Sequence, residues 1–361
     1  MASFICLMAA GSAWGEVVPW LYEAQVKVES QTDPERRRAA GLALAEVLTR
    51  ITGMREIPVS RRIDRAFADP ERFYVRYAFA TREALDPEVA EAETHFEVRF
   101  EPDALLYLLR EAGLPIWSAD RPTVLVWAVV DEAGRRDIVA ATSAGQIGDV
   151  AAAFGAVARR RGVKVSLPLM DLEDHRVSPL DLRGGFWRTV VDVSRRYAPD
   201  LLVVGRIVAT GTDRWSSHWE LRPAVDFEGP AAVFQHDATS AAEAAGEAVH
   251  RLADALAERF AVRGGDLDAV RVTVRGVRTV GAYASLLDHL QSREYIDRVE
   301  VNSVESGAVL LRLHSRSTRE QLQELLLMGG SLLAADSGGR VPGFERPVPS
   351  GMLDLKWTGA R

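Results

Sequence analysis

Hydrophobic periodicity divides the first hundred residues into short strands and amphipathic helices. Residues 21–28 alternate apolar and polar positions, which is typical of a half-buried strand. Asp33-Pro34-Glu35 then favours a helix start, and Gly53 favours its end. Two more strand patterns and a second helix complete a β-α-β-β-α order. We therefore predict that residues 16–113 form an α+β unit.

A different alternation predicts a central α/β domain over residues 120–263. Three mostly apolar stretches, at residues 124–130, 163–169 and 201–207, indicate buried strands, and helical patterns separate them. Such strands are typical of a mostly parallel sheet that helices cover on both faces. The later elements are expected to be two antiparallel edge strands and a long helix, at residues 215–221, 232–235 and 241–260.

The C-terminal part, residues 267–361, repeats the β-α-β-β-α order and is predicted to be a third unit. The predicted fold class is therefore mixed α+β and α/β. A central, mostly parallel sheet covered by helices is flanked by two small α+β units.

The stretch "AGLPIWSADRPTVLVW", residues 112–127, predicts a stiff interdomain joint. Pro115 and Pro122 fix their own φ at about −65° and keep the preceding residues extended. Trp117 and Arg121 lie between these prolines. Because the neighbours of Trp117 are apolar, we expect it to pack between domains rather than to contact a ligand.

Composition and charge narrow the classes of partner. The 361 residues are 47% hydrophobic and carry a net charge of −7. This length suffices for several cores. The negative charge gives no basic footprint for nucleic acid, so nucleic acid is not an expected partner.

The first fifteen residues predict a secretory signal peptide. They carry no charge and contain a short apolar core, Phe4 to Ala10, ahead of small residues at Ala13 and Gly15. The mature chain is then expected to begin at Glu16 and to reside in the periplasm. Cys6, the single cysteine, lies in this leader, so no disulfide is expected in the mature chain. No later apolar stretch approaches the ~18 residues that a membrane helix needs.

One stretch concentrates groups capable of chemistry, "PLMDLEDHRVSPLDLRGGFW" at residues 168–187. It follows the second predicted parallel strand, at the edge of an open sheet where ligands bind. The candidate recognition residues in it are Asp171, Asp174, His175 and Asp181. Carboxylates with an imidazole suit a divalent cation or acid–base work.

A purely structural role for the same stretch is an open alternative. Ser178 at the N-cap, Pro179 at the first position and Asp181 at the third favour a helix start. Asp171 and Asp174 are also suited to bonding the loop backbone. The neighbouring strands are expected to place Asp131 and Arg206 at the same sheet edge, where Arg206 can grip an anionic group bidentately.

No strong catalytic motif is present. The chain lacks a glycine-rich phosphate loop, an HExxH zinc motif and a nucleophile elbow. We therefore assign no catalytic residue, metal or cofactor. Trp215 and Trp219 lie on one face of a predicted strand, and His218 lies on the other face. Core packing is the expected role of the two tryptophans.

Several stretches resemble a family of bacterial envelope proteins, the domain of unknown function DUF2066. They include "GLPIWSADRPTVLVW", "LPLMDLEDHRVSPLDLRGGF", "APDLLVVGRI" and "LDLKW". The resemblance extends over residues 20–357 and implies an exported protein of Gram-negative bacteria. It brings no activity, substrate or catalytic residue.

Two hypotheses for function follow. The first is a non-catalytic accessory or scaffold protein that binds another envelope protein or a cell-wall component. The alternative is a metal-assisted hydrolase or small-ligand binder that uses the acidic loop, residues 171–181. Side chains that converge in a wet cleft favour the second hypothesis, whereas side chains that cap helices favour the first.

Overall fold

The computed structural model describes residues 19–82, 93–224, 231–305, 307–328, 330–335 and 352–359. The predicted leader, including Cys6, lies outside these residues. The described chain divides into two compact units, the larger within Pro19–Arg263 and the smaller beginning at Gly264.

The larger unit begins with the predicted β-α-β-β-α order and one additional helix. After a 3-10 turn at Pro19–Tyr22, its elements are β1 (Glu23–Val28), α1 (Asp33–Thr52), α2 (Arg61–Ala68), β2 (Tyr74–Arg82), β3 (Glu93–Phe100) and α3 (Pro102–Ala112). The three strands form an antiparallel sheet in the order β1-β3-β2. The helix α2 has no counterpart in the prediction, because only Ile63 and Ala66 of its eight residues are buried.

The same unit continues into a six-stranded sheet with helices on both faces. Its elements are β4 (Thr123–Glu132), β5 (Arg135–Ile138), α4 (Gly145–Arg161), β6 (Lys164–Ser166), α5 (Pro179–Gly184), α6 (Trp187–Ser194), β7 (Leu201–Gly211), β8 (Arg214–Pro223), β9 (Ala232–Ala238) and α7 (Ala241–Phe260). The strand order is β5-β4-β7-β8-β9, and β6 pairs with β4 beside β5.

This sheet is mixed, so the expectation of a mostly parallel sheet is wrong, and the class of the described chain is α+β. The strand β4 runs parallel to β6 and β7, but its pairing with β5 and the β7–β8–β9 pairings are antiparallel. Tight turns at Ala133-Gly134 and around Asp213, where these residues adopt positive φ, reverse the chain. The predicted antiparallel edge strands at residues 215–221 and 232–235 correspond to β8 and β9, whereas the hairpin that forms β5 was not predicted.

Helices cover the two faces of the sheet unequally. The helices α4 and α7 pack on one face, where Phe154 of α4 meets the ring of Trp219 edge-on. On the other face, α5 and α6 cover β4 and β7 with buried side chains such as Leu182, Val190 and Val193. The polar side chains of β8 and β9 lie beyond that cover, which leaves room for a cleft.

The predicted joint between the first segment and the sheet is tightly packed. Trp117 is buried, and its backbone N–H donates to the carbonyl of Ile51 at 2.7 Å. The Arg121 guanidinium stacks on the Trp117 ring, 3.7 Å from the ring centroid. Pro122 is buried and Pro115 is half-buried. None of these four side chains is exposed, so the joint does not present them to a ligand.

The smaller unit is a helix-covered mixed sheet. Its elements are β10 (Asp268–Val277), α8 (Val280–Gln291), β11 (Arg298–Glu305), β12 (Gly307–Ser315), α9 (Arg319–Leu327), β13 (Leu332–Ala334) and β14 (Leu353–Trp357). The strand order is β11-β12-β10-β14-β13, in which β14 runs parallel to β10. The predicted β-α-β-β-α order corresponds to β10, α8, β11, β12 and α9.

Candidate functional site

A row of four side chains crosses the six-stranded sheet on its partly open face. The strand registers place Arg206 of β7 opposite Val129 of β4 and His218 of β8, and His218 opposite Gln235 of β9. Directly opposed residues point to the same face of a sheet. The row therefore brings a cation, an imidazole and an amide together beside an apolar wall.

The helix α5 forms the opposite wall of a cleft over this row. Its start is fixed by the capping box that the sequence predicted: the Asp181 carboxylate accepts from the Ser178 N–H at 2.8 Å, and Ser178 Oγ accepts from the Asp181 N–H. Pro179 and Arg183 lie one turn apart on the helix and both line the cleft. Leu182 is buried in the core and also borders the cleft from below.

The cleft has two adjoining lobes, with volumes of about 370 Å³ and 320 Å³. Three residues line both lobes: Arg183, Arg206 and His218. The other charged residues are Asp131 and Arg136 in the first lobe, and Glu220 and Arg222 in the second. We call this feature the arginine cleft.

The charges of the arginine cleft sum to a positive value. Four arginines face two carboxylates, so the lining carries +2 with His218 neutral, whereas the whole chain carries −7. The Arg136–Asp131 pair, at 2.8 Å, and the Arg222–Glu220 pair, at 3.0 Å, place one cation beside each acid. The excess positive charge therefore resides on Arg183 and Arg206.

Arg206 is the arginine of the cleft with the fewest polar contacts to other described residues. Its side chain is exposed, and within the described ranges its guanidinium makes no hydrogen bond or ion pair. Arg183 approaches an acid only at 3.8 Å, from Nη1 to Asp131 Oδ2. Both groups therefore retain donors that can bond an incoming anion.

His218 is held in place between two neighbours. The Gln235 amide nitrogen lies 2.8 Å from His218 Nδ1, and His218 Nε2 lies 3.7 Å from Glu220 Oε1. When Nδ1 accepts from the amide, Nε2 carries the hydrogen and faces the carboxylate. These two neighbours therefore hold the imidazole in one orientation in the cleft.

The carboxylates of the acidic loop are engaged with the loop itself. The Asp171 carboxylate accepts from the N–H groups of Glu173 and Asp174 and lies 2.8 Å from Arg196. The hydrogen bond from Arg196, followed by the backbone N–H of Asp174, lowers the pKa of Asp171. These bonds anchor the turn that precedes α5.

Asp174 is fully buried in the same loop. Its carboxylate accepts from the Met170 N–H at 2.9 Å and from the Tyr197 hydroxyl at 2.6 Å. Burial and then the hydrogen bond to Asp174 raise the pKa of Tyr197. Asp174 therefore ties the loop to the 3-10 turn that follows α6.

The six predicted recognition residues thus separate into two groups. Asp131 and Arg206 line the arginine cleft. Asp171, Asp174 and Asp181 bond within the loop and the α5 cap, and His175 is exposed away from the cleft lining. Within the described part of the chain, no group of three or more His, Cys, Asp or Glu is arranged to hold a metal ion.

Among the polar residues of the cleft, the sequence reasoning did not predict Arg136, Arg183, His218, Gln235, Glu220 and Arg222 as site residues. A signal for the last two exists in β8, where Ser216, His218, Glu220 and Arg222 alternate with buried or apolar positions. That period-two pattern marks one polar face of a strand. Arg183 has no comparable signal, because its role depends on where α5 packs.

Comparison with known proteins corrects the family resemblance. Residues 16–118 match a family described as a domain of unknown function (DUF8605), not DUF2066. The match covers the first α+β segment and ends at the joint, whereas most of the stretches that suggested DUF2066 lie later. Those stretches encode a helix cap and an apolar strand, which recur in unrelated proteins.

A search of curated proteins found no match to the chain. In the parts of the chain that the structure describes, no helix combines the length and the apolar character needed to cross a bilayer.

Proposed function

We propose that this protein is an exported, non-catalytic binding protein of the periplasm, and that the arginine cleft holds an anionic group of its partner. The partner belongs to the envelope, as a protein or a cell-wall component. The observation that carries the proposal is the Arg206 guanidinium, which lines both lobes and has no ion-pair partner in the described chain.

The chemistry of guanidinium favours an oxyanion as the bound group. A guanidinium donates two parallel hydrogen bonds to a carboxylate or a phosphate, and Arg183 supplies a second cation to the same space. Arg206 also stands in the middle of β7, paired on both sides, so its backbone is held more rigidly than a loop would hold it. The sheet therefore fixes the point from which the Arg206 side chain reaches into the cleft.

The hydrogen bonds of the acidic loop favour binding over the hydrolase alternative. Asp171, Asp174 and Asp181 each accept hydrogen bonds from the loop or from the α5 cap. A carboxylate that is committed in this way gives up structural bonds when it ligates a metal or moves a proton.

Export is proposed from the leader alone. A short apolar core ahead of small residues is typical of a cleaved secretory signal, and the uncharged n-region is the feature in which this leader departs from one. Cell fractionation followed by N-terminal sequencing is expected to find periplasmic protein that begins near Glu16. Cytoplasmic protein that retains Met1 contradicts this part of the proposal.

Anion binding is tested by titrating the purified full chain with inorganic phosphate and with succinate in a calorimeter. We expect one saturable site, and we expect Arg206→Gln to weaken it about 10- to 100-fold, since a charge-assisted hydrogen bond contributes roughly 1.5–3 kcal/mol. Glutamine keeps a polar side chain but is shorter and removes the charge.

The matched control is Arg188→Gln, on α6. Arg188 is exposed but does not line the cleft, so its loss changes the net charge equally and should leave the affinity near wild type. Equal weakening by both variants indicates a diffuse charge effect and contradicts a site at Arg206. Weakening by Asp171→Ala but not by Arg206→Gln favours the acidic loop instead.

A further inference from the structure

Two large apolar side chains are exposed at the lip of the arginine cleft. Leu180 of α5 is 61% exposed, and Phe186, between α5 and α6, is 64% exposed. Leu180 and Gly184 lie one turn apart on the same side of α5. The Phe186 ring lies over Gly184, where an added Cβ would come within 2.6 Å of the ring.

This apolar lip is continuous with the cleft. Gly184 lines the second lobe, together with Arg183 and Arg206. Leu180, Gly184 and Phe186 therefore place an apolar surface directly beside the two least engaged cations. Leu182 and Trp187, which also border the second lobe, pack against the core and are less exposed than Leu180 and Phe186.

The exposure of Phe186 is imposed by the local backbone. Gly185 adopts a left-handed conformation, φ +72°, that ends α5 and turns the chain into α6. Gly184 lacks the Cβ that would displace the ring. The sequence thus holds a phenylalanine over a glycine at the surface, and adjoining exposed apolar groups are typical of interaction sites.

We propose that the arginine cleft and the apolar lip together bind a segment of a protein partner that presents an acidic side chain next to an aromatic or aliphatic one. This inference rests on the proposed anion site and names the class of its ligand. The acid meets Arg206 and Arg183, and the apolar neighbour packs on Leu180 and Phe186.

The rest of the lining suits a peptide better than a membrane surface. Thr210, Ser216 and Gln235 line the first lobe and offer uncharged donors and acceptors to a peptide backbone. Asp131 and Glu220 add acceptors for the N–H groups of a peptide backbone. The net charge of −7 disfavours approach to an anionic lipid surface.

The test measures fluorescence anisotropy of the full chain with labelled eight-residue peptides. Their central pair is Glu-Phe, Gln-Phe or Glu-Ser, and their flanks are pools of Gly, Ser, Ala and Thr. We expect the Glu-Phe pool to bind at least about tenfold more tightly than either other pool, because only this pool offers both an acid to the arginine cleft and an aromatic ring to the apolar lip.

Two variants assign the two contacts separately. Phe186→Ser should reduce the affinity for the Glu-Phe pool to that for the Glu-Ser pool while phosphate affinity stays at the wild-type value. Arg206→Gln should abolish the preference for Glu-Phe over Gln-Phe. The matched control is Leu172→Ser, since Leu172 is 92% exposed and lies outside the cleft lining.

The outcomes separate this inference from the anion site. Phosphate binding that depends on Arg206, without any Phe186-dependent peptide preference, overturns the inference and leaves the proposed function in place. If the chain binds neither phosphate nor the peptides, both the inference and the proposed anion site are wrong. Vesicles of phosphatidylglycerol that bind through Phe186 while the peptides do not would identify a membrane as the partner and overturn the inference.

Discussion

Replacing Trp117 with alanine should lower the free energy of unfolding of the larger unit by about 3–5 kcal/mol, the range for truncating a buried tryptophan. Trp117 is 2% exposed and packs where two helices meet the joint. An added Cβ on Gly53, after α1, would lie 3.0 Å from the Trp117 ring and 2.3 Å from Ala257 of α7. The ring therefore fills space that no neighbour can close without moving a helix.

Urea denaturation followed by far-ultraviolet circular dichroism measures this effect. Tyr107→Ala is the matched control, because Tyr107 is an aromatic residue of α3 that is 66% exposed, and its loss should change stability by no more than about 0.5 kcal/mol. An unfolding midpoint and slope equal to wild type for the Trp117 variant would show that the joint does not depend on this ring.

Local pattern predicted much of the fold because its signals lie within single elements. The helix α7 begins at Ala241 and ends at Phe260, where its apolar periodicity begins and ends. The start of α5 follows from Ser178, Pro179 and Asp181, since a capping box is a property of four consecutive residues. Such signals need no knowledge of the tertiary fold.

The arrangement of the strands depended on turns that the pattern did not resolve. Apolar runs identified β4 and β7 and predicted their parallel pairing, and β8 and β9 were expected as antiparallel edge strands, but the pattern gave no information on β5. A strand at residues 163–169 was expected, yet β6 pairs only over Lys164–Ser166. Pro168 has no N–H to continue the ladder.

The candidate site was predictable only in part, because it is assembled by register. Arg206 was expected near the carboxyl end of its strand, but β7 continues to Gly211 and places Arg206 in the middle. Its neighbour His218 is twelve positions later in the sequence and becomes adjacent only through the β7–β8 pairing. Its residue type made Arg206 a candidate, whereas its neighbours in the site follow only from the pairing of the strands.

Arg121 stabilises the joint by a different means from Trp117. Its guanidinium donates to the carbonyls of Arg50 and Gly162 at 2.7 Å each, and to those of Ser118 and Trp117 at 2.9 and 3.0 Å. Arg50 is in the last turn of α1, and Gly162 is the C-cap of α4. One buried cation therefore meets the negative ends of two helices.

We expect Arg121→Met to lower the free energy of unfolding by about 3–5 kcal/mol, because several buried carbonyls lose their donor and each costs roughly 1–3 kcal/mol. Methionine preserves much of the side-chain volume, so the loss reports hydrogen bonds and charge rather than a cavity. The stability of Arg121→Lys should lie between those of the wild type and Arg121→Met, since a lysine ammonium lacks the planar fork that reaches separate carbonyls.

Because the guanidinium stacks on the Trp117 ring, the Trp117→Ala and Arg121→Met effects should be non-additive by about 0.5–3 kcal/mol in a double-mutant cycle. Additive losses would mean that the two residues stabilise the joint independently, and an Arg121→Met variant as stable as wild type would exclude a role for these carbonyl bonds in holding the two helix ends together.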